Sequence, residues 1–242
     1  MTKSHLLLDL DGTLLGLDID RFLPVYLQQL AAFVGEAVSL PDFSPRLMAA
    51  VGAMVSSRSD GRTNEEAFYQ TFRQGLTAEA SAACDGAFLR FYHEIFPSLR
   101  QHTRPMPGAR SFVAAAKGAG YRLVLATSPV FPRFVIEERL AWAGIRPSDF
   151  DGITSFETCR FNKPDPKYYE EILLHLGIRP DAALMIGNDL RDDGAATKAG
   201  IAFAFVEGRY ARRHDPAGSP VWRGSMRALS HAVEGGEPPF AD

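Results

Sequence analysis

Short apolar runs that each stop at a Gly, Asp or Ser and give way to an amphipathic stretch recur along the chain, and this alternation leaves few folds open. The runs lie at residues 5–9, 121–126, 182–186 and 201–206, with a weaker one at 152–154. Helical patterns accompany them at about 109–119, 131–143, 166–176 and 188–199, the third with Pro166 at an early helical position. Strand and helix in alternation predict a parallel sheet with helices on both faces. In such a sheet the loops at the carboxyl ends of the strands gather around one cleft, where ligands bind.

The first two runs are separated by residues 17–104, which show helical periodicity and almost no β-like alternation. Phe22, Tyr26, Leu30 and Phe33 recur at helical spacing, as do Phe88, Phe91, Tyr92, Ile95 and Phe96. Such stripes are expected to pack inward. Gly16 on one side and Pro105, Pro107 and Gly108 on the other punctuate the chain as hinges would. The expected organisation is therefore an α/β core of residues 1–16 and 105–242, interrupted by a helical domain of residues 17–104. The segment 207–242 is basic and then rich in Gly and Pro, with one helix expected near 226–233 and disorder over the last six or so residues.

Composition narrows the function. The chain has 242 residues, 46% of them hydrophobic, as in ordinary globular proteins. Its 26 Lys and Arg against 29 Asp and Glu give a net charge of -3, which lacks the positive field of a general nucleic-acid binder. Leu6, Leu7 and Leu8 are followed at once by Asp9 and Asp11, so no signal peptide is read there. Nor does any apolar run approach the ~20 residues of a membrane helix. Two cysteines, Cys84 and Cys159, are too few for a disulfide framework and fit a reduced compartment, the cytoplasm.

The loops carry the chemistry. Asp9-Leu10-Asp11-Gly12-Thr13 ends the first run, and strand alternation puts both carboxylates on one side, where two like charges need a counterion. Alone, such a segment reads equally as an Asp-Gly turn. It is joined by Thr127-Ser128 after the second run, Lys163-Pro164-Asp165-Pro166 before a helix, and Gly187-Asn188-Asp189 with Asp192-Asp193 after the fourth. All four fall at the expected carboxyl edge.

In this order and spacing the chain resembles the haloacid dehalogenase superfamily, in its phosphatase-like branch. The resemblance is carried by DLDGT at 9–13, LATS at 125–128, the KPDP lysine at 163 and GNDLRDD at 187–193. It implies a Rossmann-like core, with residues 17–104 as a mobile helical cap. The residue types fit the implied chemistry. The Asp9 carboxylate can attack phosphorus in line to form an aspartyl-phosphate, and Asp11 can serve as general acid and then base. A phosphate dianion cannot approach two carboxylates uncompensated, so Mg²⁺ and the Lys163 ammonium are expected beside it. Thr127 offers a hydroxyl to a phosphoryl oxygen, and Ser128 either touches the substrate or begins the Pro129 turn.

Oxygens of Asp9, of the Asp11 carbonyl and of the 187–193 loop suit Mg²⁺, and no His/Cys cluster suggests zinc. Many members carry Gly-Asp after the fourth strand where this chain has Gly187-Asn188-Asp189. Asp189 is the preferred ligand. In the other register Asn188 ligates through its amide oxygen and Asp193 or Asp192 holds waters, while Asp192 alternatively caps a helix. In the helical domain, the polar stretch 56–64 offers Arg58 and Arg62 to the leaving group of a closed site, or else is a surface turn with Thr63 or Asn64 capping the next helix.

An acid at position 11 distinguishes the chain from dehalogenases and phosphonate hydrolases of the superfamily, which lack one there. The expected activity is Mg²⁺-dependent hydrolysis of a small phosphorylated metabolite. A phosphosugar mutase keeps both aspartates and is the alternative, and a non-catalytic binding module on the same fold is a third reading. The choice of ester and the oligomeric state are not legible in the sequence.

Overall fold

The protein is described by a computed structural model over residues 3–56 and 60–240. The strands are β1 (His5–Leu8), β2 (Leu15–Gly16), β3 (Arg104–Pro105), β4 (Arg122–Leu125), β5 (Gly152–Ile153), β6 (Ala183–Gly187), β7 (Ala202–Val206) and β8 (Trp222–Gly224). Six of them form one sheet in the order β5-β4-β1-β6-β7-β8, every neighbouring pair parallel. β1 sits at its centre, with Leu6 paired to Leu123 on one side and to Leu184 on the other. Its residues explain the place. Leu6 and Leu8 enter the apolar cluster on one face and Leu7 the cluster on the other, so the strand is buried on both sides as parallel sheets are.

The helices are α1 (Ile19–Val38), α2 (Phe43–Val55), α3 (Asn64–Phe72), α4 (Ala78–Arg90), α5 (Ala109–Gly118), α6 (Arg133–Trp142), α7 (Pro166–Leu176) and α8 (Met226–Gly235). Local chemistry sets several ends. The Asp165 side chain accepts from the Lys167 N–H ahead of Pro166, and Gly177, at φ 65°, closes α7. Thr63 and Glu66 form a reciprocal capping box at the start of α3.

The helices α1 to α4 fall between β2 and β3, which pair antiparallel, Leu15 with Pro105 and Gly16 with Arg104. The chain thus leaves the sheet and returns to it through one two-stranded ribbon. The ribbon is tight at Gly16, where a Cβ would lie 3.0 Å from both the Arg104 side chain and the Tyr210 ring. After α4 the insert finishes in a π-helical turn, Phe91–Ile95, and a 3-10 helix, Phe96–His102.

Three expectations are corrected. Residues 188–199 do not form an α-helix but a turn followed by a 3-10 helix, Gly194–Ala199, because Asp189 and Asp193 take up backbone donors within the turn. A sixth strand, β8, adds to the sheet edge from a segment whose three residues, Trp-Arg-Gly, carry no alternation to read. The chain end is ordered as far as it is described: Phe240 is buried against the rings of Phe112 and Tyr121. Among the described residues no helix is long and apolar enough to cross a membrane. Both cysteines are buried and free.

Candidate active site

Where β1 ends, the chain turns so that Asp9, Leu10 and Thr13 are buried and Asp11 is partly exposed. Gly12 makes the turn, at φ 84°, and a Cβ there would lie 2.3 Å from the Asn188 amide nitrogen. Conformation and space both demand glycine. The tip of β1 is thereby packed directly against the loop after β6.

Lys163 organises the floor. Its buried ammonium donates to Asp9 Oδ1 at 2.9 Å and to Asp193 Oδ1 at 2.6 Å. The lysine comes from the loop before α7, Asp9 from the end of β1 and Asp193 from the turn after β6, so three separate loops meet on one charge. Burial alone would lower the Lys163 pKa, but the carboxylates of Asp193 and Asp9 hold it well above its ordinary value. Burial pushes both carboxyls up against the pull of Lys163, as two acids sharing one ammonium must be.

Asp193 has a second bond, from the Asp189 N–H to its Oδ2 at 3.0 Å, and its side chain fills the space beside Gly187. A Cβ on that glycine would be 2.1 Å from Asp193 Oδ2. The other acids are also partnered. Arg139 of α6 is buried and ion-paired with Asp11 Oδ1. Arg212 lies 3.0 Å from Asp189 Oδ2, while Asp189 Oδ1 accepts from the N–H groups of Arg191 and Asp192 at 2.8 and 3.0 Å. Asp192 is half-buried and its carbonyl accepts from Tyr169 Oη at 2.7 Å; the N-cap of the 3-10 helix that follows is Asp193, whose side chain makes no cap bond.

Thr13 ties the end of β1 to the turn after β6. Its hydroxyl lies 3.1 Å from Asp9 Oδ2 and 2.9 Å from Asn188 Oδ1. A hydroxyl has one proton to give, so one of these two buried acceptors is always short of a donor. The Asn188 amide nitrogen is fixed by donating to the Tyr210 carbonyl at 2.6 Å, which aims its oxygen at Thr13. Among the described residues no group of three or more His, Cys, Asp or Glu side chains is placed so that it could hold a metal ion. The converging set is instead one carboxylate and one amide oxygen, hard donors of the kind Mg²⁺ takes alongside waters.

These groups line one end of a cavity of about 660 Å³, together with Thr127 and Ser128 from the loop after β4. Thr127 is buried; its carbonyl accepts from Thr154 and Tyr168, which fixes the loop. The helical insert forms the opposite wall. It is tied to the core by a buried pair of amides: Asn64 and Asn162 donate to each other's oxygens at 3.1 and 3.2 Å, Asn64 donates also to the Pro129 carbonyl and Asn162 to that of Met54.

Of the residues singled out in the sequence, the cavity brings together Asp9, Asp11, Thr127, Ser128, Lys163, Asn188, Asp189 and Asp193. It does not bring in Arg62, which is at the surface, ion-paired with Asp60. Of that stretch, residues 60–63 run along the surface into the Thr63 cap of α3, with Asn64 docked inward. Arg58 lies outside the described residues. Sequence reasoning missed Arg139 and Arg212, since an arginine on a helix or in a basic tail reads as solvated until a fold sets it beside an acid.

A Rossmann-like sheet with four loops of acids, a hydroxyl and a lysine at its carboxyl edge defines a hydrolase of the α/β class. The chain belongs to the haloacid dehalogenase-like hydrolase family, whose profile matches residues 4–200. It is 32% identical to a phosphoserine phosphatase of Thermus thermophilus over 66% of this chain and 62% of that protein, so the match spans less than two thirds of that relative. With a phosphoglycolate phosphatase of Mesorhizobium japonicum it shares 27% identity over 88% of this chain and 87% of the other. The crystal structure of a predicted phosphoglycolate phosphatase from Haemophilus somnus has the same fold, with a TM-score of 0.59 at 21% identity, covering 96% of this chain and 99% of that one.

Proposed function

We propose that the protein is a Mg²⁺-dependent phosphatase that hydrolyses a small phosphate monoester through an aspartyl-phosphate on Asp9, with the helices of residues 17–104 acting as a cap over the site. The observation that carries this reading is the Lys163 ammonium held between Asp9 and Asp193 on the floor of the cavity that Asp11 also lines. The phosphatase names of the relatives agree with it.

In the first half-reaction an Asp9 carboxylate oxygen bonds to phosphorus as the ester P–O bond breaks, and the leaving alcohol takes a proton from Asp11. In the second, Asp11 takes a proton from water as its oxygen attacks the same phosphorus, and Asp9 is released with inorganic phosphate. Lys163 offsets charge on Asp9 and the phosphoryl group, and the Thr127 hydroxyl donates to a phosphoryl oxygen. Asp9, Asn188 and the Asp11 carbonyl would hold Mg²⁺, which supplies charge against the phosphoryl oxygens when bound. Asp193 acts on Lys163, and Asp189, engaged by Arg212 and two backbone amides, shapes the loop.

The test is turnover of p-nitrophenyl phosphate with Mg²⁺ and acid-quench mass spectrometry of the peptide containing Asp9. Phosphate release with a transient gain of one phosphoryl group on that peptide is expected. Absence of release with any phosphomonoester refutes the reading. Return of labelled phosphate to the organic product instead of to water makes the enzyme a mutase.

A further inference from the structure

The cavity has two chemically different ends, and only one is accounted for by phosphoryl transfer. Resting on the phosphatase reading above, we infer that the other end takes the organic part of an apolar phosphomonoester, an alkyl or aryl phosphate with no second charged group.

The wall opposite the catalytic floor comes from α1 and α2, through Leu23, Leu27, Met48, Val51, Met54 and Val55. Three of these are held open to water: Leu23 is 42%, Met48 54% and Val55 48% exposed. Apolar surface gathered on one concave face and left wet is a feature of ligand sites. An apolar leaving group would cover it.

Two of the phenols on this side are occupied with each other. Tyr26 and Tyr92 bond to each other, hydroxyl to hydroxyl, at 2.8 Å, and burial pushes Tyr26 up to about 12, so that it remains a neutral phenol. A polyhydroxylated leaving group would exchange its water hydrogen bonds for leucine and methionine, at a cost of roughly 1–3 kcal/mol per unmet group.

Charge on the described lining residues favours a leaving group without a second anion. Among the described lining residues, Lys163 is shared by Asp9 and Asp193, Arg139 is paired with Asp11, and Arg212 is paired with Asp189 and Asp20. Arg209, 5.9 Å from the Tyr210 ring centroid, lies on the core side with them. The described lining residues of the insert include no cation, and its charged ones are the acids Asp18 and Asp20. Among the described residues of the insert, a carboxylate or second phosphate would meet leucines, methionines and aspartates.

The experiment is a series of esters assayed on the full-length protein with Mg²⁺: ethyl, butyl, hexyl and phenyl phosphate, beside glycerol phosphate and phosphoglycolate. A fully buried methylene is worth about fourfold in specificity. The kcat/KM should therefore climb by roughly two-hundredfold from ethyl to hexyl phosphate, with the two polar esters at or below ethyl phosphate. A flat or falling alkyl series, or a preference for phosphoglycolate, overturns the inference while leaving the phosphatase intact. If no ester at all is hydrolysed, the phosphatase reading fails instead, and calorimetric titration of the same alkyl series then decides the chamber: tighter binding with each methylene upholds it, and equal or undetectable binding overturns it. Met48→Asn and Leu23→Asn, at positions exposed enough to leave the fold intact, should each lower the hexyl-to-ethyl ratio by about threefold or more. An unchanged ratio in both variants overturns the assignment of the wall.

Discussion

Arg139, in the middle of α6 and 1% exposed, is ion-paired with Asp11, which keeps 22% of its side-chain surface open to the cavity. The guanidinium also lies 5.0 Å from the centre of the Phe131 ring, which packs over it and limits where it can go. Asp11 is thus held in place by a group that itself cannot move far, an arrangement that makes Arg139 a positioning residue for the proposed acid and base. Arg139→Met should lower kcat by about tenfold or more. The loss should be greater for ethyl phosphate, whose alcohol needs a proton to leave, than for p-nitrophenyl phosphate, whose phenolate does not. Arg139→Lys should recover part of it. Equal losses on the two esters, with no recovery by lysine, would show that the arginine only supports the fold.

Asp9→Asn should keep the fold, because the amide has nearly the volume of the acid and can still meet Lys163 and Thr13. Turnover should fall by roughly 10³-fold or more, as removal of a nucleophile does. Circular dichroism checks the first statement and single-turnover kinetics the second; retention of a tenth of the wild-type rate ends the assignment.

Chelation with EDTA should stop turnover and Mg²⁺ should restore it. The two neighbouring positions after Gly187 then separate by geometry. Asn188→Ala removes an oxygen that converges with Asp9 Oδ2 on Thr13, so its Mg²⁺ requirement should rise by about tenfold or more. Asp189→Ala should act chiefly on stability, leaving Arg212 without its buried partner. Mg²⁺ titrations of both variants beside their melting curves decide the matter, and the reverse order would put Asp189 at the ion.

Gly187→Ala tests how tightly the floor is packed. The new methyl would overlap the Asp193 carboxylate, which has backbone and Lys163 on its other sides. The substitution should remove most activity and cost about 1–3 kcal/mol of stability, measured by urea unfolding. A near-wild-type enzyme would mean that Asp193 has room to move.

Much of this site was legible because the groups that do chemistry sit at strand ends, and strand ends can be read from where apolar runs stop. Asp9 and Thr127 stand at such ends, Lys163 is read from its place ahead of a helix, and that helix, α7, is expected near 166–176 with Pro166 as its start signal. What escaped was set by tertiary contact. The side chains of the 187–193 turn have almost the same composition in either register, and only the bonds of Asn188 to Thr13 and Tyr210, and of Asp189 to Arg212, separate their surroundings. Arg139 needed α6 to be packed beside β1 before it could be read as a partner of Asp11. The loop containing Arg62 looked equally suited to cavity and surface. Its outcome was fixed by Asp60 two residues away and by Asn64, whose amide found a partner 98 residues on in Asn162.

Thiol chemistry offers an independent check on the core. Burial pushes Cys159 up to about 11, so at pH 7 the thiolate is scarce as well as covered. Cys84 is buried in the insert and raised in the same direction by its burial. Neither should react with iodoacetamide over an hour in the native protein, and both should do so in urea. Rapid labelling of either one in buffer would show that its surroundings open.

The sequence divides the chain into a sheet and a helical insert, but the interior is not divided in the same way. Leu6 and Leu8 of the central strand belong to the same apolar cluster as Phe22, Tyr26, Leu47 and Phe72 of the insert, and Tyr26 packs edge-on against Phe131 of the core. A shared interior predicts shared unfolding: heat or urea should take sheet and helices apart in a single cooperative transition, and two resolved transitions would show that the insert melts alone. A marginal insert could not loosen while the catalytic floor stayed rigid, and evolutionary change in the chamber walls is constrained by the stability of the whole molecule.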